Sequence, residues 1–268
     1  MRYVEQGEGG PVVLLHGNGA TVEDLALSGV LGATASRHHR TVAFDRPGYG
    51  LNERPRDRVW TPEAQASLLL EAFAKLGIDR PVIVGHSQGA QVALAMALEH
   101  PGLVSGLVLI SGYYFRTGRV DLALSKPFAA PGLGDALRYT VLPIVGPLAA
   151  PSLIRQAFAP APVPACFTAR FPLDQELRPR PERASFEDAA ALESTSAAFA
   201  PRYHELRIPV AIVAGVGDRL VDPVRQSVQL HRQVHGSSLT LIPAQGHMVH
   251  YGVPNLISVE ADTIAGRR

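Results

Sequence analysis

A serine flanked by two glycines carries the strongest chemical signal in the chain. The pentapeptide Gly85-His86-Ser87-Gln88-Gly89 directly follows a short apolar run, residues 81–84, and directly precedes a segment with helical spacing. A G-x-S-x-G pattern between a strand and a helix is typical of a nucleophile elbow, a turn so tight that both flanking positions must be small. The N-terminus of the helix favours negative charge developing at that point. The pattern therefore predicts Ser87 as a nucleophile.

A serine hydroxyl is a weak nucleophile and needs a base, and the chain offers ten histidines. His247 comes just after the last predicted strand, residues 238–242. That order places it at the same edge of a parallel sheet as Ser87. His250 is the competing base and lies nearer the last predicted helix, whereas the elbow is expected to aim His86 away from the hydroxyl. We therefore predict His247 as the base.

The base in turn needs a carboxylate that holds its tautomer and stabilises the imidazolium. Asp218 occupies the loop after the predicted strand at residues 209–214. Asp222 is the nearest rival, and its position just before a proline suits a helix cap. The resulting chain order of nucleophile, acid and base is the order that accompanies a nucleophile elbow. We predict Asp218 as the acid.

A tetrahedral intermediate needs hydrogen-bond donors for its oxyanion. The sequence His16-Gly17-Asn18-Gly19 follows the predicted strand at residues 11–15, and its glycines allow the backbone to turn beneath a substrate. We predict the backbone N–H groups of Asn18 and Gln88 as the donors, each typically worth ~3–4 kcal/mol of transition-state stabilisation. His16 is expected to brace this loop.

The elements that must position these residues follow from hydrophobic patterning. Runs rich in valine, isoleucine and leucine predict buried strands at residues 11–15, 41–44, 81–84, 104–110, 209–214 and 238–242, with a further edge strand at 3–6. Helical spacing predicts helices at residues 62–76, 89–100, 223–234 and 254–265. This alternation predicts an α/β fold, in which helices cover both faces of a mostly parallel central sheet.

The alternation stops over residues 113–207, where prolines are frequent and no strand pattern occurs. So long a segment between two strands predicts an inserted, helical cap. Residues 1–112 and 208–268 would then form the core domain.

Together these motifs resemble the α/β-hydrolase superfamily, in its cap-bearing branch of esterases, haloperoxidase-like enzymes and carbon–carbon hydrolases. The likeness covers nearly the whole chain except the cap and includes the structural turn Asp45-Arg46-Pro47-Gly48. It implies the α/β-hydrolase fold and a loop-bracing role for Asp45. Family members usually have one more N-terminal strand, which would be absent or short here. Related dehalogenases and epoxide hydrolases have aspartate at the elbow, so Ser87 makes those two activities unfavourable.

The predicted cap supplies candidate substrate contacts. Tyr113, Tyr114 and Phe115 leave the sheet near the active-site edge. Several apolar cap residues could also line an acyl pocket. They are Leu142, Ile144, Val145, Leu148, Leu153, Ile154, Phe158 and Phe167.

Composition limits the other function classes. The 268 residues are 46% hydrophobic and 18% charged, with a net charge of +1, so no strong field would attract nucleic acid or an anionic membrane. The single cysteine, Cys166, excludes an internal disulfide and is expected to be a small buried hydrophobe. Residues 1–11 lack an apolar signal core. We therefore expect a cytoplasmic protein without stable membrane association, of undetermined oligomeric state, that uses no cofactor or metal.

Three functions are compatible with this site. The first is hydrolysis of a carboxylic ester with an apolar acyl or alcohol part. The second keeps the triad but cleaves a carbon–carbon bond in a vinylogous keto acid, or passes the acyl group to hydrogen peroxide. Carbon–carbon cleavage would need cations for the substrate carboxylate, and the cap offers Arg116, Arg119, Arg155 and Arg170. The third is a ligand-binding receptor on a hydrolase scaffold.

Overall fold

The computed structural model describes residues 1–118 and 120–266. Its centre is a seven-stranded sheet in the order β1-β3-β2-β4-β5-β6-β7. The strands are β1 (Tyr3–Gln6), β2 (Gly10–Leu15), β3 (His39–Phe44), β4 (Val82–His86), β5 (Gly106–Ile110), β6 (Val210–Gly215) and β7 (Ser238–Ile242). All pairs are parallel except β1 with β3, which form an antiparallel edge. The predicted mostly parallel sheet is confirmed.

The helices follow the strands in the predicted alternation, with additional short ones. They are α1 (Val22–Leu27), α2 (Val30–Ala35), α3 (Pro62–Leu76), α4 (Gln88–Glu99), α5 (Val120–Ala129), α6 (Leu133–Thr140), α7 (Leu142–Phe158), α8 (Ala165–Arg170), α9 (Leu173–Glu176), α10 (Pro179–Phe199), α11 (Gln229–Gln233) and α12 (Pro254–Ala265). Helix α3 has the expected start and stop signals: Thr61 caps the backbone N–H of Ala64, and Gly77 ends the helix with a φ of 63°.

Alternation along each strand divides the core into two layers. On β2, Val13 and Leu15 face the layer formed with α3 and α4. Val12 and Leu14 face the opposite layer, which contains α1, α2 and α12. Strands covered by helices on both faces are apolar at every position, which explains their unbroken hydrophobic runs.

Between β5 and β6, every described regular element is a helix. Both ends of this segment pack into the core: Tyr114 and Tyr203 are fully buried, and the Tyr203 hydroxyl donates to the carbonyl of Tyr114 at 2.6 Å. The boundaries 113–207 for a cap domain stay a prediction. Cys166 is exposed on α8, contrary to expectation, because its neighbour Phe167 takes the buried position.

The predicted helix at residues 223–234 is divided. A π-helical turn, Val224–Val228, precedes α11. Within this turn the buried Gln226 side chain accepts hydrogen bonds from the backbone N–H groups of Tyr114 and Phe115, at 2.7 and 2.8 Å. The turn thus fixes the chain where it leaves β5.

No single helix among the described residues has both the length and the apolar composition to cross a membrane. By those two criteria alone, α6 and α7 would qualify as a pair, and they are bent relative to each other by 71°.

Candidate active site

The turn between β4 and α4 has the geometry of a nucleophile elbow. Ser87 has a φ of 53° and a ψ of −116°, a strained conformation for a residue with a side chain. Its backbone N–H is held by the carbonyl of Ile110 on the neighbouring strand, at 2.8 Å. A Cβ on Gly85 would lie 2.6 Å from the carbonyl oxygen of Gly89, and one on Gly89 would overlap the carbonyl of Leu15. Both flanking positions therefore exclude any side chain.

The structure brings the three predicted catalytic side chains together. The Nε2 atom of His247 lies 3.0 Å from the Oγ atom of Ser87, and its Nδ1 atom lies 2.8 Å from an oxygen of Asp218. The backbone N–H groups of Leu220 and Val221 donate to the other Asp218 oxygen, both at 2.8 Å. Because both carboxylate oxygens are engaged, the acid is fixed in orientation. The arrangement can pass a proton from serine to histidine.

The rivals considered for base and acid lie elsewhere. His250 is fully buried and its Nε2 atom contacts Asp24 at 3.0 Å, away from the serine. His86 donates to the backbone carbonyl of His247 at 3.1 Å. Asp222 accepts from the backbone N–H groups of Val224 and Arg225, as the predicted helix cap requires.

Two further histidines are held neutral. Burial, with a smaller contribution from Arg46, lowers the pKa of His16 to about 3. Its Nε2 atom accepts from the backbone N–H of Arg46 at 2.9 Å, so the proton is on Nδ1, next to the carbonyl of Gly17 at 2.8 Å. Burial also holds the pKa of His86 well below its usual value, and the neighbouring rings of His250 and His247 add to this effect. Neutral rings at these places have a bracing role.

A possible metal-ligand group lies beside the triad. Ligand atoms of Asp24, His86 and His250 are all within 4.8 Å of one another. One nitrogen of each histidine already has a hydrogen-bond partner, Asp24 for His250 and a backbone carbonyl for His86. The Nδ1 atoms of both rings are buried without a partner.

The predicted oxyanion donors come from two different elements next to the serine, and both residues line the cavity that contains Ser87. Gln88 is the first residue of α4, where helix geometry leaves the backbone N–H without an intrahelical partner. Asn18 lies in the loop after β2, and its side-chain oxygen accepts from the hydroxyls of Tyr49 and Ser185, both at 2.7 Å. Ser185 belongs to α10, so a helix of the segment between β5 and β6 contacts this loop directly.

A buried charge network, which sequence reasoning missed, connects α10 with the same loop. Asp188 accepts from Arg46 at 2.6 Å and from Arg54 at 2.9 Å, and it is 6% exposed. Although burial acts to raise the pKa of Asp188, Arg54 and Arg46 hold it below its usual value. Arg46 also donates to the backbone carbonyls of His16 and Gly17. Arg46 is part of the D-R-P-G motif, but nothing in the sequence pointed to Asp188 as its partner.

A cavity of about 450 Å³ lies over Ser87. Its lining is mostly apolar and includes the predicted contacts Tyr113 and Phe158, together with Leu153, Ile154 and Phe167 from α7 and α8. The predictions were wrong for several other residues, none of which lines it. Tyr114 and Phe115 turn into the core, where Gln226 holds their backbone, and Leu142 is half-buried at the start of α7. Ile144, Val145 and Leu148 point outwards and are exposed.

The lining carries little charge. Among the described residues that form it there is no lysine or arginine, and Asp24 is the acidic member. Arg116 is exposed and pairs with Glu193, and Arg155 lines a different cavity. Arg170 is exposed on α8, and Arg119 lies outside the described residues.

Comparison with known proteins identifies the family of this chain. A family model described as the alpha/beta hydrolase fold matches residues 10–252. The chain therefore belongs to the α/β-hydrolase fold family. The predicted fold class is confirmed by this match and by the structure.

Among curated relatives, a 2-hydroxymuconate semialdehyde hydrolase from Pseudomonas putida is 34% identical over 136 residues, 51% of this chain and 44% of the relative. A 2-hydroxy-6-oxo-2,4-heptadienoate hydrolase, also from Pseudomonas putida, is 27% identical over 91% of this chain and 84% of its own. Thus the match spans less than half of the first relative. A crystal structure of an alpha/beta hydrolase fold protein from Burkholderia ambifaria superposes with a TM-score of 0.80 at 23% identity, covering 96% of this chain and 91% of the other. The superposition shows the same fold as the family match.

Proposed function

We propose that this hydrolase cleaves carboxylic esters with an apolar acyl or alcohol part through an acyl-enzyme. The observation that carries the proposal is the continuous hydrogen-bonded chain from Ser87 through His247 to Asp218, situated beneath an apolar cavity. The contact between Ser87 and His247 lies within the range expected for proton transfer between nucleophile and base, and the contact with Asp218 orients that base.

In the first half-reaction the Oγ atom of Ser87 attacks the ester carbonyl while its proton moves to the Nε2 atom of His247. Asp218 stabilises the imidazolium that results. The tetrahedral oxyanion is bound by the backbone N–H groups of Asn18 and Gln88. The intermediate then collapses, the C–O bond to the alcohol breaks, and His247 returns its proton to the departing alcohol oxygen.

In the second half-reaction a water molecule replaces the alcohol. His247 removes a proton from the water as it attacks the acyl carbonyl, and the same oxyanion donors bind the second tetrahedral intermediate. Collapse releases the carboxylic acid and returns the proton to Ser87. The steps balance without a cofactor or a metal.

The cavity favours an uncharged substrate. Its described lining provides aromatic and aliphatic contacts, including Phe158, Phe167 and Ile154, and no cation for a substrate carboxylate. Burying an unpaired carboxylate in this cavity would cost several kcal/mol or more. Transfer of an apolar acyl chain from water into this cavity is instead favourable.

Carbon–carbon bond cleavage is the second candidate, favoured by the names of the two Pseudomonas putida relatives. It would use the same triad on a substrate that carries a carboxylate. The absence of a cation among the described lining residues weighs against it.

Labelling and turnover test the proposal. We expect a fluorophosphonate to label Ser87 stoichiometrically, and Ser87→Ala to abolish both labelling and p-nitrophenyl ester hydrolysis. Ser36→Ala, which changes an exposed serine at the end of α2, is the matched control and should keep both. Faster turnover of a ring-cleavage dienoate than of any ester in an acyl-length series would establish the second candidate instead. Folded protein that neither labels nor turns over would contradict both.

A further inference from the structure

The loop that carries His247 is anchored by one buried carboxylate. Asp24, on α1, is fully buried. The Nε2 atom of His250 lies 3.0 Å from one of its carboxylate oxygens, and the hydroxyl of Tyr251 donates to the other at 2.9 Å. Since a carboxylate only accepts hydrogen bonds, His250 carries a proton on Nε2. Asp24 therefore fixes two consecutive residues that lie shortly after the proposed base.

A short hydrogen-bonded turn connects this anchor with the base. Residues Val249–Tyr251 form a 3₁₀ turn, in which the backbone N–H of Tyr251 donates to the carbonyl of Met248 at 3.1 Å. The N–H of Met248 in turn donates to the carbonyl of Ala157 at 3.2 Å. Because closely packed interiors transmit displacements, a shift of this turn also shifts the backbone of His247.

A second connection between Asp24 and the base passes through His86. The ring of His86 packs against that of His250, with 4.3 Å between the ring centroids. Its Nε2 atom donates to the backbone carbonyl of His247 at 3.1 Å. The ring that Asp24 holds in place therefore supports the ring that holds the backbone of the base.

Tyr251 joins the same anchor to the wall of the catalytic cavity. Burial, with a further contribution from the charge of Asp24, raises the pKa of the Tyr251 hydroxyl, so it remains a hydrogen-bond donor. Its ring lies 5.1 Å from that of Phe158 and 5.9 Å from that of Phe167, measured between centroids. Both phenylalanines line the cavity over Ser87.

We propose that Asp24 is a positioning residue for the base: it holds the turn at residues 249–251 so that the Nε2 atom of His247 stays at 3.0 Å from the Oγ atom of Ser87. The inference rests on the proposed ester hydrolysis and deepens it. Asp24 also lines the cavity, but both of its oxygens are already engaged, so it acts through the loop and not on the substrate. A misplacement of about 1 Å in such a site can lower the rate about 100-fold.

Steady-state kinetics with p-nitrophenyl butanoate test the proposal. We expect Asp24→Ala to lower kcat about 100-fold. KM should change much less, because the cavity keeps its apolar wall. Asp24→Asn should recover most of kcat, since an amide can accept from the Tyr251 hydroxyl and donate to the other tautomer of His250. The matched control is Asp262→Ala, which removes the acid that lies 3.0 Å from the Nε2 atom of His39, at the amino end of β3. It should leave kcat unchanged.

Proton NMR provides a measurement that needs no substrate. The proton on Nδ1 of His247, shared with Asp218, should give a strongly downfield signal. We expect Asp24→Ala to shift or broaden this signal, whereas Asp24→Asn and Asp262→Ala keep it. Tyr251→Phe removes one of the two hydrogen bonds and retains the ring, so it replaces Asp24→Ala should that variant fail to fold. It should shift the same signal and lower kcat by a smaller factor.

The outcomes separate this inference from the proposed function. An unchanged signal and an unchanged kcat in Asp24→Ala, or in Tyr251→Phe in its place, would overturn the positioning role. Equal losses of kcat in Asp24→Asn and Asp24→Ala would also overturn it, because the effect would then belong to the charge. If the signal responds as expected but no ester is hydrolysed by the parent, the proposed function fails and the positioning of His247 by Asp24 stands.

Discussion

At Gly89 the nucleophile elbow touches β2. A Cβ at this position would overlap the backbone carbonyl of Leu15, which cannot move without displacing the sheet. We expect Gly89→Ala to lower the free energy of unfolding by about 3 kcal/mol, at the upper end of the cost of overpacking. Urea denaturation measures this change.

Gly102→Ala is the matched control for that substitution. A Cβ at Gly102 meets no atom within 4 Å, and we expect a change below about 0.5 kcal/mol, as for most surface substitutions. Equal stability of the two variants would contradict the close contact between Gly89 and the backbone carbonyl of Leu15.

The second prediction at the scale of single residues concerns the carboxylate of Asp218. Asp218→Asn keeps the shape but favours the wrong histidine tautomer, so we expect kcat for an ester to fall by roughly 10³–10⁴-fold. Asp222→Asn, four residues on and bound only to its own turn, should leave kcat unchanged. The comparison is made by steady-state kinetics. An equal loss in both variants would remove Asp218 from its proposed role.

At the scale of single residues, sequence motifs predicted the catalytic side chains, whereas contacts that depend on how the helices pack could not be predicted. Ser87, Asp218 and His247 each follow a predicted strand, and the carboxyl ends of parallel strands share one edge, so their meeting could be expected. The contact of Ser185 with Asn18 could not be expected. These residues are 167 positions apart, and the sequence does not indicate which face of α10 points towards the loop after β2.

At the scale of elements, α10 is fastened to the core by Asp188. Asp188→Ala would leave the guanidinium of Arg46 buried without its acid, and breaking such a pair typically costs about 3–5 kcal/mol. We expect a loss of that size in urea denaturation. Asp174→Ala, an exposed acid on α9, should have little effect. A stable Asp188→Ala variant would show that the network does not hold α10 against the core.

Helix α9 contributes a pH dependence. Burial, reinforced by the nearby Asp45 and Glu23, raises the pKa of Glu176 from 4.5 to about 8, and the residue is 6% exposed. Between these values the folded protein keeps a proton that the unfolded chain has lost. Its contribution to stability is therefore full below about pH 4.5 and falls by about 1.4 kcal/mol per pH unit up to about pH 8.

Glu176→Gln tests this dependence because it cannot titrate. We expect the variant to lose less stability than the parent when urea denaturation is repeated at about pH 5.5 and at about pH 8. Glu71→Gln, which changes an exposed glutamate on α3, should retain the slope of the parent. Identical slopes for all three proteins would contradict the raised pKa.

The positions of the strands could be predicted, but the inward-facing residues of the helices between β5 and β6 could not, for a physical reason. A strand covered by helices on both faces has no alternative to an apolar run, whereas a helix that is apolar all round, such as α7, can turn either face inwards. Tyr114 and Phe115 were expected at the substrate, but the π-helical turn of Gln226 draws them into the core. Leu148 was one of several residues that could have lined the pocket, and it lies outside.

For the whole molecule, a net charge of +1 and a cavity without described cations make long-range electrostatics weak. We expect kcat/KM for a soluble neutral ester to change by less than about twofold between low and high salt, because no field steers the substrate. Steady-state assays over a series of sodium chloride concentrations measure this change in kcat/KM. A kcat/KM for an anionic dienoate that falls steeply with salt, while that for the neutral ester stays constant, would favour the carbon–carbon hydrolase.

The two hydrogen bonds between Ser185 and Asn18 couple the wall of the cavity to the loop assigned to hold the oxyanion. Ser185 lines the cavity over Ser87 and at the same time donates to the side chain of Asn18. A substrate group that displaced Ser185 would therefore also release Asn18. The fit of the substrate and the position of a proposed oxyanion donor are in this way linked through one side chain.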